Sequence, residues 1–305
     1  MDRIEVMELV RSYQVGTMSR REFLIKATTA IGSLAGANML LIACASTESE
    51  EPPPVVDDSQ PAAVPGTETD GELMTGIVTY AGLQGEELMG YIAYQANEAA
   101  RPAIIVLQEW WGLNDHIKEV AQRFAREGFV ALAPDLYHGV VTTEPDEARK
   151  LAMELGMGDA VGEIQQAIAY LKTQDFVGQD VGIVGFCMGG GLVLQTAAND
   201  KVSSSDEAVG AGVVFYGRPL SEADAEKVTA PILTFLGTED RIPVSDVEAM
   251  HAVFENSGLE NSYQIYEGAE HAFFNDTRTS YNEEAAADAW AQTLAWFRKH
   301  LSSSL

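Results

Sequence analysis

VGIVGFCMGGG, residues 181–191, decides the fold, because it joins an apolar run to a glycine-rich turn and then to the apolar start of a helix. The run before Gly185 has the character of a buried strand. A strand that leads through Gly-x-Cys-x-Gly into a helix is typical of a nucleophile elbow, with cysteine in place of the usual serine. Gly185 and Gly189 would remove the Cβ atoms that clash in so sharp a turn. This interpretation makes Cys187 the candidate nucleophile; the alternative is a buried structural cysteine.

Strands and helices alternate on both sides of this turn. Apolar runs predict strands at residues 76–81, 88–94, 103–107, 129–133, 181–184, 213–216, 232–236 and 263–266. Helical spacing of apolar residues predicts helices over 115–127 and 161–171, and an amphipathic helix at the end of the chain. Such alternation calls for a mostly parallel sheet with helices on both faces. We therefore expect one α/β domain over residues 74–305.

Two polar residues follow later strands in the chain order nucleophile, acid, histidine, which a triad on such a fold requires. Asp240 comes just past a predicted strand, on a turn that starts with glycine; Glu239 is its rival, and the Gly-x-x-Asp spacing favours Asp240. His271 follows the last predicted strand, on the loop EGAEHAF. The remaining histidines lack this context: His116, His138, His251 and His300. We expect Asp240 to orient His271, and His271 to activate Cys187.

The N-terminal segment predicts export. Residues 19–24, SRREFL, resemble the twin-arginine signal, and residues 41–44, LIAC, resemble the lipobox of bacterial lipoproteins, in which the cysteine is lipidated. We expect residues 1–44 to be the export signal and residues 45–73 to be a disordered tether. The domain would then lie outside the cytoplasmic membrane or in the periplasm, anchored through Cys44. A retained transmembrane anchor is the alternative.

Composition excludes several classes of partner. The formal net charge is −27, which repels phosphate backbones, so we expect no nucleic acid and no membrane contact beyond the anchor. The two cysteines, Cys44 and Cys187, lie in such different contexts that we expect no disulfide between them. His-x-x-x-His and Cys-x-x-Cys spacings do not occur, so we expect no metal and no cofactor. We expect a monomer that acts on a small molecule.

Five segments together resemble the dienelactone hydrolase (carboxymethylenebutenolidase) family of α/β-hydrolases, and the resemblance covers about residues 74–301. The segments are QEWWG at 108–112, PDLY at 134–137, GFCMGG at 185–190, GTED at 237–240 and HAF at 271–273. The resemblance implies an α/β-hydrolase fold and a triad of Cys187, Asp240 and His271. It also implies cleavage of small activated esters or lactones through an acyl-thioester.

The resemblance implies roles for further residues. The backbone N–H groups of Trp110 and Met188 would form the oxyanion hole. Glu109 would correspond to the glutamate that contacts the resting thiol and helps its deprotonation. A carboxylate at the end of an apolar strand needs a partner or a function, which agrees with this role.

This chain departs from the family pattern at two arginines that hold the substrate carboxylate of dienelactone. The corresponding places have His138-Gly139 and Phe274-Asn275, and the nearby arginines do not match in position: Arg218, Arg241 and Arg278. We therefore expect a less polar substrate than a carboxylate-bearing lactone. The aromatic side chains expected to form its pocket are Trp110, Trp111, Tyr137, Tyr216 and Phe273.

Two other functions remain compatible with the sequence. A thioesterase or a carbon–carbon bond hydrolase would keep the fold and the triad but cleave another bond. An anchored binding lipoprotein would keep the pocket without turnover, and the complete Cys/Asp/His set argues against it.

Overall fold

The computed structural model describes residues 68–70, 73–96, 100–199 and 208–301. All of these residues lie within one compact unit, Ala62–Leu305. The predicted export signal, Cys44 and the tether as far as residue 67 lie outside the described residues.

Nine strands of the described residues form one sheet. In chain order they are β1 (Glu68–Asp70), β2 (Leu73–Ala81), β3 (Glu87–Gln95), β4 (Arg101–Leu107), β5 (Val130–Pro134), β6 (Val177–Phe186), β7 (Ala211–Phe215), β8 (Ile232–Gly237) and β9 (Asn261–Tyr266). Their spatial order is β1-β2-β3-β5-β4-β6-β7-β8-β9. The pairs from β1 to β5 along this order are antiparallel, and all pairs from β5 to β9 are parallel. The sheet is therefore mixed and mostly parallel.

The described part of the chain has seven helices, of which six lie between strands and the seventh follows β9. They are α1 (Asp115–Arg126), α2 (Pro145–Glu154), α3 (Met157–Lys172), α4 (Met188–Asn199), α5 (Glu222–Ala225), α6 (Val244–Asn256) and α7 (Glu283–His300). None of the helices in the described residues is long and apolar enough to cross a bilayer.

Helices cover the sheet on both faces. Alternate residues of β4 belong to different core clusters: Ile104 and Val106 pack with α1 and α7, whereas Ile105 packs with α3, α4 and α6. All three side chains have no exposed surface. A strand that is buried on both faces needs apolar residues at every position, which explains the continuous apolar runs of the central strands. The predicted α/β architecture with helices on both faces is confirmed.

The first strand lies earlier than the sequence predicts. Residues 45–73 were expected to form a tether, but β1 at Glu68–Asp70 pairs with the start of β2. This short edge strand has few apolar residues, so periodicity could not detect it. The sheet therefore begins inside the segment predicted to be disordered.

The topology collects the polar residues of interest at one edge. β4, β6 and β8 are parallel, so their carboxyl ends lie at the same edge of the sheet. The chain leaves these ends at Gln108, Cys187 and Thr238. In open α/β sheets this edge is where ligands bind.

Candidate active site

Cys187 stands at the sharp turn between β6 and α4. Its φ is +55°, a left-handed conformation that costs about 1–3 kcal/mol for a residue with a side chain. Its N–H donates to the Phe215 carbonyl at 3.0 Å, and the Gly189 N–H donates to the Gln108 carbonyl at 3.1 Å. A Cβ atom on Gly185 would collide with the Gly189 carbonyl, and one on Gly189 would collide with the Gln108 and Leu107 carbonyls, so the turn requires both glycines. The surrounding backbone thus holds a strained cysteine in place.

The thiol of Cys187 is free and only partly buried, so a small molecule can reach it. The helix α4 begins directly at Met188, and its first N–H groups, together with the helix dipole, favour negative charge on the sulfur. Trp110 lies just past the end of β4, the strand that neighbours β6. The two N–H groups expected to form the oxyanion hole therefore follow the carboxyl ends of adjacent strands.

Asp240 and His271 form an ion pair beside this turn. Asp240 Oδ2 lies 2.8 Å from His271 Nδ1, and Asp240 Oδ1 accepts a hydrogen bond from the Ile242 N–H at 3.0 Å. The Asp240 side chain is 1% exposed, so water does not compete for it. Glu239, the rival carboxylate, lines the cavity but makes no ion pair with His271 among the described residues. With Nδ1 bound to Asp240, the imidazole has Nε2 left for Cys187.

The environment of His271 favours the imidazolium. Burial alone lowers the pKa of His271, but hydrogen bonds to Asp240 and Cys187 and the charges of both residues outweigh it and raise the pKa to about 10. A histidine that is charged at neutral pH next to a cysteine stabilises the thiolate. The arrangement can therefore supply an ionised nucleophile together with a proton donor.

Glu109 is a buried carboxylate on the other side of the site, 2% exposed. Its Oε2 accepts a hydrogen bond from Asn275 Nδ2 at 2.9 Å. The Asn275 Oδ1 accepts from both the N–H and the hydroxyl of Thr277, at 3.0 and 2.7 Å, which fixes the orientation of the amide. Glu109 Oε1 has no hydrogen-bond partner of good geometry among the described residues. The amide of Asn275 therefore supports this carboxylate, and the hydroxyl of Tyr216 lies beside it.

Tyr216 lies beside the carboxylates of Glu109 and Asp240. Burial raises the pKa of Tyr216 well above its usual value, and the nearby Glu109, Cys187 and Asp240 add to this effect. Its ring centroid is 5.0 Å from that of His271. The φ of Tyr216 is +41°, a strained value for a residue with a bulky side chain. Strain of this kind is common at functional sites.

A cavity of about 540 Å³ opens over the thiol. It is lined by Cys187, His271, Asp240 and Glu109, together with Trp110, Trp111 and residues of the loops after β8 and β9. Two arginines that do not match the family positions also line it, Arg241 and Arg278. The guanidinium of Arg278 lies 4.3 Å from the ring centroid of Trp111. The cavity therefore contains two cationic side chains, although neither stands where the family pattern has an arginine.

Three of the expected pocket aromatics do not line this cavity. Tyr216 and Phe273 have no exposed surface and pack in the core. Tyr137 donates to Met188 Sδ at 3.4 Å and borders a separate cavity of about 630 Å³. The sequence pattern of a strand or loop does not show which aromatic side chains reach a cavity when helices cover both faces of the sheet.

Comparison with protein families and curated proteins gives consistent matches. The model of the dienelactone hydrolase family matches residues 88–301. A Synechocystis sp. protein assigned as a carboxymethylenebutenolidase is 32% identical over 243 residues, which cover 75% of this chain and 98% of that protein. Protein usf of Aquifex pyrophilus is 36% identical over 229 residues, covering 72% of this chain and 96% of its own length.

The fold is also similar to that of solved structures. A crystal structure from Klebsiella pneumoniae subsp. pneumoniae, assigned as a dienelactone hydrolase, superposes with a TM-score of 0.68 and 28% identity. It covers 75% of this chain and 100% of that chain. The sheet described above is therefore that of an α/β-hydrolase.

Proposed function

Because this chain belongs to the dienelactone hydrolase family of ester and lactone hydrolases, we propose that it cleaves small activated esters or lactones with Cys187 as nucleophile, through an acyl-thioester. The observation that carries this proposal is the series of contacts from Asp240 to His271 and on to Cys187. Asp240 binds His271, and His271 interacts with Cys187. The thiol opens into a cavity large enough for a small substrate.

Acylation begins with the thiolate. Its sulfur attacks the ester carbonyl carbon, and the negative charge moves to the carbonyl oxygen. The N–H groups of Met188 and Trp110 stabilise this oxyanion, each donor contributing about 10²–10³-fold to the rate. The C–O bond to the leaving group then breaks, and the His271 imidazolium donates its proton to the departing oxygen. An acyl-thioester on Cys187 and neutral His271 remain.

Deacylation uses the neutral imidazole. Once the sulfur is acylated it no longer carries charge, so one of the causes that raise the pKa of His271 is removed. His271 can then take a proton from water, which attacks the thioester carbonyl; such general-base catalysis contributes roughly 10²–10⁴-fold. The C–S bond breaks, the acid leaves, and the thiolate–imidazolium pair forms again.

The nucleophile restricts the leaving group. A thiolate leaves a tetrahedral intermediate more readily than an alkoxide does, so attack on an ordinary ester tends to reverse. Phenolate and enolate leaving groups compete better with the thiolate. Activated esters and enol lactones are therefore the expected substrates, and peptides are not.

The acid part of the substrate can carry a negative charge. Arg278 and Arg241 line the cavity, and an arginine presents paired N–H donors to a carboxylate. These two cations can bind a substrate carboxylate even though the family positions have no arginine, and Glu239 and Glu270 line the same cavity.

The experiment is hydrolysis of p-nitrophenyl acetate by the wild type and by Cys187→Ala and His271→Ala. We expect each change to lower kcat by at least about 10³-fold, as for other residues that act as one catalytic unit. His138→Ala, at an exposed histidine that borders the separate cavity, is the matched control and should keep wild-type activity. Full activity of Cys187→Ala would exclude the proposed nucleophile.

A further inference from the structure

Asn275, in the loop between β9 and α7, is bonded on both sides of its amide. The residue is 1% exposed. Its Nδ2 donates to Glu109 Oε2 at 2.9 Å, and its Oδ1 accepts from the N–H and the hydroxyl of Thr277 at 3.0 and 2.7 Å. Because a backbone N–H can only donate, the amide oxygen must face Thr277 and the amide nitrogen must face Glu109. The network therefore fixes the direction in which the amide points.

The backbone of Asn275 closes the turn that follows His271. Its N–H donates to the Ala272 carbonyl at 3.0 Å, and its own carbonyl accepts from the Arg278 N–H at 3.0 Å. Ala272, directly after the histidine, has a φ of +64°, a left-handed conformation that is unfavourable for a residue with a side chain. Such a conformation persists where the surrounding bonds hold it. The hydrogen bond from Asn275 therefore helps to fix the backbone beside the base.

Glu109 is the point to which the amide binds this turn. It lies two residues after the end of β4 and is 2% exposed. The residue before it, Gln108, accepts a hydrogen bond at its carbonyl from the Gly189 N–H, at 3.1 Å. The hydroxyl of Tyr216 also lies beside this carboxylate. The bond from Asn275 to Glu109 thus joins the loop that carries the base to the strand end that contacts the nucleophile elbow.

Three other contacts hold the same loop. Asp240 Oδ2 lies 2.8 Å from His271 Nδ1, and the ring centroid of Tyr216 lies 5.0 Å from that of His271. Asp276 Oδ1 lies 3.3 Å from Nδ1 of His116, in the first turn of α1. The first two contacts act on the imidazole, and the third anchors the loop on α1. None of these three contacts reaches the end of β4.

The side chain of Asn275 faces the protein and not the substrate. The family pattern has an arginine at the place of Phe274 and Asn275, where it binds a substrate carboxylate. Here the amide is buried, is bonded to Glu109 and Thr277, and is not among the residues that line the cavity. A role for Asn275 therefore has to act through the groups that it holds.

We propose that Asn275 is a positioning residue for His271: its backbone closes the turn after the histidine, and its amide binds that turn to Glu109, so that the imidazole stays beside Cys187. No bond to Asn275 forms or breaks in the reaction. The inference rests on the proposed function, because it concerns the base of the same site. The essential feature is the N–H donor that faces Glu109.

The test is alkylation of Cys187 by iodoacetamide in the full chain, measured by stopped flow. It reports the thiolate that His271 sustains and does not require turnover. In Asn275→Asp an oxygen replaces the donor that faces Glu109, with almost no change in size. We expect the alkylation rate to fall about tenfold, the effect of one hydrogen bond to a charged group. A wild-type rate in Asn275→Asp would overturn the inference.

Asn261→Asp is the matched control for this change. The amide of Asn261 is also bonded on both sides, through Oδ1 to His251 at 2.7 Å and through Nδ2 to the Leu259 carbonyl at 2.9 Å. It lies at the start of β9, whereas the catalytic loop follows the end of this strand. We expect Asn261→Asp to keep the wild-type alkylation rate. An equal loss in the two variants would show a general structural effect and would overturn the inference.

A double-mutant cycle with Glu109→Gln separates the hydrogen bond from the added charge. The chain with both Asn275→Asp and Glu109→Gln has the net charge of the wild type, and its new amide can donate to its new carboxylate. We expect Asn275→Asp to cost about tenfold in rate when Glu109 is present, and less than about twofold in the Glu109→Gln background. Equal losses in the two backgrounds would contradict the proposed role.

Thr277 gives a second route if Asn275→Asp does not fold. Thr277→Val removes the hydroxyl that orients the amide, whereas Thr277→Ser keeps it. We expect Thr277→Val to slow alkylation about threefold and Thr277→Ser to match the wild type. The same rate in both threonine variants would overturn the inference. The proposed function fails separately: if Cys187→Ala keeps its esterase activity, the nucleophile is wrong whatever these alkylation rates are.

Discussion

At Cys187 the backbone is strained, and its neighbours supply the interactions that stabilise it. A φ of +55° is unfavourable for cysteine, but it points the side chain out of the sheet edge toward the cavity. The hydrogen bond from its N–H to the Phe215 carbonyl and the close approach of Gly185 to Gly189 hold the backbone in this turn. Strain at this residue therefore accompanies exposure of the sulfur to the cavity.

We expect Asp240 to affect activity because it keeps His271 protonated. In Asp240→Asn the hydrogen bond and the charge that raise the pKa of His271 are weakened, so less of the enzyme carries the thiolate at neutral pH. We expect alkylation of Cys187 by iodoacetamide to slow, and kcat/KM to fall by about 10²-fold or more. Stopped-flow alkylation and ester hydrolysis measure these effects.

Glu239→Gln is the matched control for Asp240→Asn. It removes a carboxylate from the same turn and the same cavity, but not the partner of His271. We expect its alkylation rate to stay near that of the wild type. Equal losses in the two variants would show that overall charge, and not the Asp240–His271 bond, sustains the thiolate.

Among the elements, the loop between β9 and α7 contributes most to the site. It carries His271, Asn275, Asp276 and Arg278, and the sheet and helices on either side hold it in place. Its contacts reach the turn after β8, the end of β4 and the first turn of α1. Loops on a rigid scaffold are the usual place for such residues.

Arg278 on this loop should select substrates with a carboxylate. In Arg278→Gln, kcat/KM for p-nitrophenyl hemisuccinate should fall about tenfold, the value of one charged hydrogen bond, while that for p-nitrophenyl acetate should change less than about twofold. Arg218→Gln, which borders a different cavity, should leave the ratio of the two substrates unchanged. A wild-type ratio in Arg278→Gln would remove Arg278 from substrate recognition.

The sequence predicted the elements that local patterns determine. The turn at Cys187 was predictable because a strand, two spaced glycines and a helix have strong local signals. Asp240 and His271 were predictable because their chain order and their positions after strands follow from the fold. His116, Asp276 and Arg278 were not assigned a role, because their contacts cross between loops far apart in the chain. Only the folded loop brings Asp276 to α1 and Arg278 to Trp111.

For the whole molecule, the formal charge of −27 agrees with a hydrolase of small molecules, because such a surface repels nucleic acid. We propose that the chain is exported by its twin-arginine segment and anchored through a lipid on Cys44. Its two cysteines would then have separate uses, one for anchoring and one for chemistry. A protein exported in the folded state reaches its compartment with the Cys187 thiol already in its turn.

Metabolic labelling with radioactive palmitate tests the anchor. In a bacterial host with twin-arginine export, the wild type should carry label in the membrane fraction, and Cys44→Ala should lose the label. Replacing both Arg20 and Arg21 by lysine should leave the protein in the cytoplasm. Label that persists in Cys44→Ala would contradict the proposed lipid site.

The proposed mechanism requires the sulfur of Cys187 to carry the acyl group. The direct measurement is peptide mass spectrometry of enzyme that is mixed with p-nitrophenyl acetate and quenched in acid during turnover. We expect one acetyl group on the peptide that contains Cys187, released by hydroxylamine and absent from Cys187→Ala. An acetyl group on another residue, or rapid turnover with no acylated peptide, would contradict it.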